Sequence, residues 1–447
     1  MTGSAIDRPS IAQLFALRLD GLLAHRLVGA VLFMAFLVLW AMLAKAAVTR
    51  SWQEQSRMAT VQTLVEQGTF IIDHTLFNNT GDKIFVNGHF YSDKTPLLSV
   101  AAAGLYSVLY NVFHLTLDPI DCIPDDDPAA CRAFGPDGPR FTAFYWLNVA
   151  FMSLPSALLV VLFWKALIDQ QVGGLAAVGL AVLLGIASPI APYSIVFAGH
   201  VPAALFLFAG FMLLARPSAS GGAFFWSGTF VSLAANIDLL LALFVVAFGV
   251  WVSLTRRSHV LPFAVGVLIP FAITAAINYW AAGTIVPLYL DPKAYDFPGT
   301  VLNKTVGGTD GFYSLEFGLN YAYEMLVGRR GVFAFTPLLV CTVAGLWLVA
   351  RDRSHRLRSL AIAVIAASLA FTAYLILRTD NFGGVAWGTR WFVPLIPVLW
   401  TFIPLVFTRS HSRTWKAILL VTAIVSLLTA LPGLHDPWGE YQPIFRL

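Results

Sequence analysis

Two short clusters in the first quarter of the chain carry side chains suited to moving a proton and holding an anion. Glu54 stands in Trp52-Gln53-Glu54-Gln55-Ser56-Arg57, and a carboxylate in such a place can take the proton from an attacking hydroxyl. Further on, Tyr91-Ser92-Asp93-Lys94-Thr95-Pro96 sets a compact ammonium just ahead of the apolar run Leu97–Leu117. Lysine there can hold a phosphate as a point charge. Both residues also suit plainer jobs. An acid that opens a helix is favoured by the helix dipole, and a lysine at the mouth of an apolar helix can snorkel to the aqueous boundary. Arg57 and Asp93 accompany these two groups as candidate cavity-lining residues, and the segment after Arg57 carries Met58, Val61, Leu64 and Val65 at helical spacing. That stripe predicts a helix lying on the membrane surface.

Such groups must be positioned by a chain of 447 residues that is 58% hydrophobic and only 12% charged. Soluble domains carry about 25% charged residues. The composition excludes a nucleic-acid-binding domain, a disordered scaffold and a disulfide-rich mini-protein. It describes an all-α polytopic membrane protein. Apolar runs read as spans fall near Val28–Val48, Phe141–Trp164, Leu175–Ile190, Val201–Ala215, Phe224–Leu254, Val260–Ala282, Val332–Ala350, Leu360–Leu377, Trp391–Phe407 and Ala417–Leu431. Phe224–Leu254 is too long for one crossing. Asn236 and Asp238 interrupt it, and polar groups at that depth either line a cavity or satisfy a break in the helix. Two short helices meeting near Asn236 bring the count to about eleven transmembrane helices. The first run is read as an uncleaved signal anchor despite Ala44-Lys45-Ala46.

Parity then decides the fate of Leu97–Leu117. If it does not cross, one side of the membrane collects 14 Lys/Arg against 4 Asp/Glu, and the other 14 Lys/Arg against 19 Asp/Glu. That is the positive-inside pattern. The segment is therefore expected to be interfacial or re-entrant. The resulting plan has a cytoplasmic segment 1–27 and a transmembrane domain 28–433. Its two large external loops are 49–140 and 283–331, and an external tail 434–447 follows. Cys122 and Cys131 both fall outside, where an oxidising compartment permits a disulfide between them.

Taken together, these segments resemble the GT-C glycosyltransferases, in particular the family 39-like branch that includes protein mannosyltransferases and the lipid A aminoarabinose transferase. The resemblance rests on Glu54–Arg57 after the first span, Tyr91-Ser92-Asp93-Lys94-Thr95-Pro96-Leu97-Leu98, Phe197-Ala198-Gly199-His200, Gly328–Pro337 and Gly383–Trp391. It implies a GT-C-like bundle with interfacial helices in a large first external loop. It also implies transfer of a sugar from a polyprenyl-phosphate donor to a glycan, lipid or protein acceptor at the periplasmic or external face of the inner membrane. In that scheme Glu54 is the general base, Lys94 with Tyr91 holds the lipid phosphate, and Arg329, Arg330 or Arg390 neutralises it. Two positions depart from the family pattern. Gln55 stands where a second acid is common, and His200 stands where the next external loop usually brings one; His200 can orient the acceptor or bind phosphate. With so few carboxylates the site needs no cofactor, and a divalent cation is not favoured, because hard cations want several oxygen ligands. The partners expected are donor, acceptor and membrane lipids, with no nucleic acid. Two other classes compete: a non-catalytic lipid-binding or assembly protein of the same fold, and a transporter or flippase. The second is opposed by the scarcity of intramembrane charge.

Overall fold

The computed structural model describes residues 21, 26–117, 142–300, 314–379, 381–409 and 412–439. Cys122 and Cys131 lie outside them. Among the described residues five helices are long and apolar enough to cross a membrane: α1 (Arg26–Leu43) and, further along, Ala143–Asp169, Arg257–Ala282, Arg358–Arg378 and Arg413–His435. On α1 only Gly29, Leu32, Phe36 and Trp40 are buried, whereas Leu27, Val31, Met34, Val38 and Met42 are exposed. An apolar helix that turns large side chains outward over most of its circumference is solvated by lipid. The chain is a multi-pass membrane protein.

After α1 comes α2 (Trp52–Glu66), which stops where Gly68 takes a left-handed φ of 69°. The stripe at Met58, Val61, Leu64 and Val65 predicts a helix lying on a surface, yet residues Gln53–Thr63 are all buried. The polar face finds partners inside the protein. Ser56 Oγ donates to the Asp82 carbonyl at 2.5 Å, Gln62 Oε1 accepts from the Leu76 amide at 3.0 Å, and Thr80 Oγ1 donates to the Trp52 carbonyl at 2.9 Å. These partners belong to residues that follow the helix and fold back over it.

That return includes an antiparallel hairpin, β1 (Lys83–Val86) and β2 (His89–Ser92), with Lys83 opposite Ser92 and Val86 opposite His89. The all-α expectation omits it. Asn87 and Gly88 supply the two positive φ angles, 54° and 88°, that a two-residue hairpin turn requires. The strand hands directly to Asp93-Lys94, and Pro96 opens α3 (Pro96–Asn111), which packs on α2. At 16 residues α3 is about 24 Å long, short of the ~30 Å hydrocarbon core.

Besides short helical turns, the remaining helices among the described residues are α4 (Ala143–Asp169), α5 (Gly174–Ile186), α6 (His200–Leu214), α7 (Gly221–Ile237), α8 (Ala242–Thr255), α9 (Val260–Ala282), α10 (Leu315–Leu326), α11 (Leu339–Arg351), α12 (Arg358–Arg378) and α13 (Arg413–His435). The long apolar run does divide as its polar residues suggest. α7 ends at Ile237, Asp238 is extended (φ −132°, ψ 99°), and a single turn over Leu239–Leu241 leads into α8. α7 packs most extensively on α9 and α6. The buried face of α9 repeats every three or four residues at Phe263, Gly266, Pro270, Thr274 and Asn278.

Candidate active site

α2, the hairpin exit, the start of α6, the break after α7 and the Gly383–Trp391 segment converge on one cavity of about 220 Å³. Gln53 and Arg57 face it from α2, one turn apart and so on the same side of the helix. Glu54 is the next residue round, rotated by about 100°, and it does not line the cavity. Its carboxylate is fully buried. One oxygen accepts from the Thr49 amide at 2.8 Å and from the Thr49 hydroxyl, and the other accepts from the Phe197 amide at 2.7 Å. Burial pushes this carboxyl up to about 7, against the opposing pull of those donors. The side chain ties the turn before α2 to the strand of backbone that leads into His200.

Lys94 does line the cavity, but its ammonium is already matched. It lies 2.7 Å from Asp82 Oδ2 and 3.0 Å from Asp93 Oδ1. Burial alone would lower its pKa, and the two carboxylates more than offset that, so the group is held above its usual value. Asp93 is pushed up to about 6 by burial, with Lys94 working the other way. The hairpin register, with Lys83 opposite Ser92, is what brings Asp82 to Lys94. Tyr91 falls in an adjoining recess of about 40 Å³, which Lys94 also lines, together with Asn278 and Tyr289.

The two arginines on this cavity have no such partner. Arg57 Nη1 donates to the Thr95 carbonyl at 3.3 Å, and Arg57 Nε is buried without a hydrogen bond. Desolvation lowers its pKa to about 10, with Asp93 and Asp238 opposing, so it stays charged at neutral pH. Arg390 Nη1 donates to Gln53 Oε1, its guanidinium sits 5.4 Å from the Trp438 ring, and its Nε is likewise buried and unpartnered. Neither forms an ion pair within 4.0 Å among the described residues. Gly199 makes room for the first of them. A Cβ there would stand 3.2 Å from Arg57 Nη2 and 2.9 Å from Ile237 Cγ2.

His200 Nδ1 lies 3.3 Å from Asp238 Oδ2, and both residues line the same cavity as the arginines. Asp238 gets there because the helix breaks, and Thr95 Oγ1 pins that break by donating to the Ile237 carbonyl at 2.9 Å. The other sequence candidates lie elsewhere. Arg329 is 65% exposed and pairs with Glu324 at 3.5 Å. Arg330 donates to the Ala386 carbonyl at 2.8 Å and accepts from Thr389 Oγ1 at 2.5 Å through its own carbonyl, bracing the segment that carries Arg390. Asn236 donates back to the Ser232 carbonyl of its own helix at 2.8 Å. Gln53, which carried no charge to attract notice, is a cavity residue. Among the described residues no group of three or more His, Cys, Asp or Glu is placed to hold a metal ion.

No protein-family model matches the sequence, and no curated protein matches it. Among solved structures the chain is similar to ArnT from Cupriavidus metallidurans bound to undecaprenyl phosphate. The TM-score is 0.53 at 17% identity, over 89% of this chain and 63% of that one. The apo state of ArnT from the same organism gives 0.49 at 15% identity, over 89% and 62%. The likeness at a TM-score of 0.53 gives a multi-pass, mostly helical membrane protein of ArnT-like fold. The chain spans less than two thirds of the length of the ArnT it matches.

Proposed function

We propose that this protein is a GT-C-type membrane glycosyltransferase that moves a sugar from a polyprenyl-phosphate donor to an acceptor at the external face. The observation that carries this reading is the pair of buried guanidiniums, Arg57 and Arg390, which line one cavity with Lys94, have no ion-pair partner among the described residues, and each keep an Nε without a hydrogen bond. Buried donors without acceptors are costly, and a phosphate would satisfy them. The fold supports it, since the ArnT it resembles was solved bound to undecaprenyl phosphate.

In this reading the charge that develops on the departing phosphate is met by preorganised donors. Arg57 and Arg390 supply the free cationic groups. Lys94, held in place by Asp82 and Asp93, keeps the rim of the cavity from becoming acidic. Glu54 acts as a brace for the Phe197–His200 backbone, which follows from its placement off the cavity. The chain crosses about eleven times with a cytoplasmic N-terminus, and 49–140 and 283–331 are external loops.

The test is donor-lipid affinity, followed by turnover on a panel of radiolabelled polyprenyl-phosphate sugars. A charge-assisted hydrogen bond in such a site is worth roughly 1.5–3 kcal/mol, so Arg57→Ala or Arg390→Ala should weaken polyprenyl-phosphate binding about 10- to 150-fold. Unchanged affinity in both variants would remove the phosphate site. Tight binding by wild type without transfer to any acceptor would favour a non-catalytic lipid-binding protein.

A further inference from the structure

Resting on the glycosyl-transfer reading, we propose that the His200–Asp238 pair is the base that activates the acceptor hydroxyl. His200 Nε2 would take the proton, and Asp238 would be the positioning residue behind it.

The other carboxylates are committed. Both oxygens of Glu54 are used by Thr49 and Phe197, and Glu54 does not line the cavity. Asp93 and Asp82 close on Lys94. Also lining the cavity, Asp238 Oδ2 stands 3.3 Å from His200 Nδ1. A carboxylate only accepts, so a neutral imidazole bonded to it carries its proton on Nδ1 and leaves the Nε2 lone pair free. Nε2 is buried and has no hydrogen-bond partner among the described residues. A buried acceptor of this kind wants a donor, and an acceptor hydroxyl entering the cavity is one. The ring is fixed as well. It opens α6, packs edge-on against Tyr193 with centroids 5.7 Å apart, and meets Asp238 only because that residue is extended between two helices. The groups that act on it are Asp238, Arg390, Arg57 and Tyr193.

The step balances within the cavity. The acceptor O–H bond breaks, with its proton passing to Nε2, while the oxygen forms a bond to the anomeric carbon. The bond from that carbon to the phosphate oxygen breaks, and its electron pair leaves with the polyprenyl phosphate between Arg57 and Arg390. Asp238 stabilises the imidazolium, which then releases the proton to water.

Purified enzyme, a polyprenyl-phosphate sugar that it turns over, and the matching acceptor provide the test. His200→Ala should lower kcat by about 10²–10⁴-fold, the usual contribution of a general base. Polyprenyl-phosphate affinity should be unchanged, and added imidazole should restore part of the rate. Asp238→Asn should lower kcat at unchanged donor affinity and displace the acid limb of the pH–rate profile, since it removes the carboxylate that fixes the tautomer. His200→Ala turnover within about threefold of wild type would overturn the dyad while leaving glycosyl transfer standing. Loss of turnover together with donor binding, without imidazole rescue, would show a structural histidine and overturn it too. A wild-type enzyme that transfers no sugar would overturn the parent reading and the dyad with it.

Discussion

Glu54 shows how little a side chain's identity says about its job until its direction is known. As a fully buried carboxyl raised from 4.5 to about 7, it binds its proton more tightly in the folded than in the unfolded state. Stability from this group is therefore greatest below about pH 4.5 and declines as pH rises to about 7, a change of roughly 3 kcal/mol by linkage. Glu54→Gln should flatten that window. Comparing thermal melting of the detergent-solubilised variant and wild type between pH 4.5 and 7.5 measures it, and parallel curves would contradict the burial argument. Its placement also implies that Glu54→Gln keeps donor affinity. Lys94→Ala should weaken the donor more than loss of one cation requires, because it leaves Asp82 and Asp93 unpaired beside the cavity, and like charge repels phosphate. If Asp82→Asn in the Lys94→Ala background recovers none of the affinity, that account fails.

Between elements, the crossing of α7 and α9 is the tightest contact that bears on the site, since α7 ends in the break that presents Asp238. Gly228 and Gly266 sit in it reciprocally. A Cβ at Gly228 would stand 2.2 Å from the Phe263 carbonyl oxygen, and one at Gly266 would stand 2.0 Å from that of Phe225. The obstacle is backbone, so the helices must separate. Gly228→Ala or Gly266→Ala should cost about 1–3 kcal/mol, the usual range for overpacking, and lower the melting temperature. Gly179→Ala on α5, with nothing within 4 Å of its Cβ, is the control, because alanine in an open helical position is neutral or stabilising. Equal behaviour of the three variants would argue against the close crossing.

At the scale of the whole molecule, helix length and packing decide which helices cross. α3 is too short for an untilted span and packs on α2, which is itself enclosed. Both its flanks should then face the same side of the membrane. Single cysteines at Asn79 and Phe113, both exposed, in a background with Cys122, Cys131 and Cys341 all replaced by Ser, should label from the same side with an impermeant reagent. Labelling from opposite sides would invert every later loop and the positive-inside balance with it.

Much of this architecture was legible in the residues alone. Lipid demands long apolar helices, so composition determined the class, and a polar pair inside an apolar run foretold the divided helix at Asp238. Asp93-Lys94 before Pro96 marked one wall of the cavity, and Asn87-Gly88 marked a hairpin that a helix-only reading passes over. Which way each polar group points was decided by tertiary structure. α2 looks amphipathic, yet its polar face is covered by the residues after it, so it is buried rather than surface-bound. Gln53 and Arg57 face the cavity because they are one turn apart, and a rotation of one residue sends Glu54 elsewhere. Arg329 and Arg330 are adjacent to each other, but neither reaches the site, whereas Arg390 does through its bond to Gln53. Apolar periodicity reports which face of a helix avoids water. In a membrane protein a polar residue can be buried as readily as an apolar one, and only its partners reveal which face it serves.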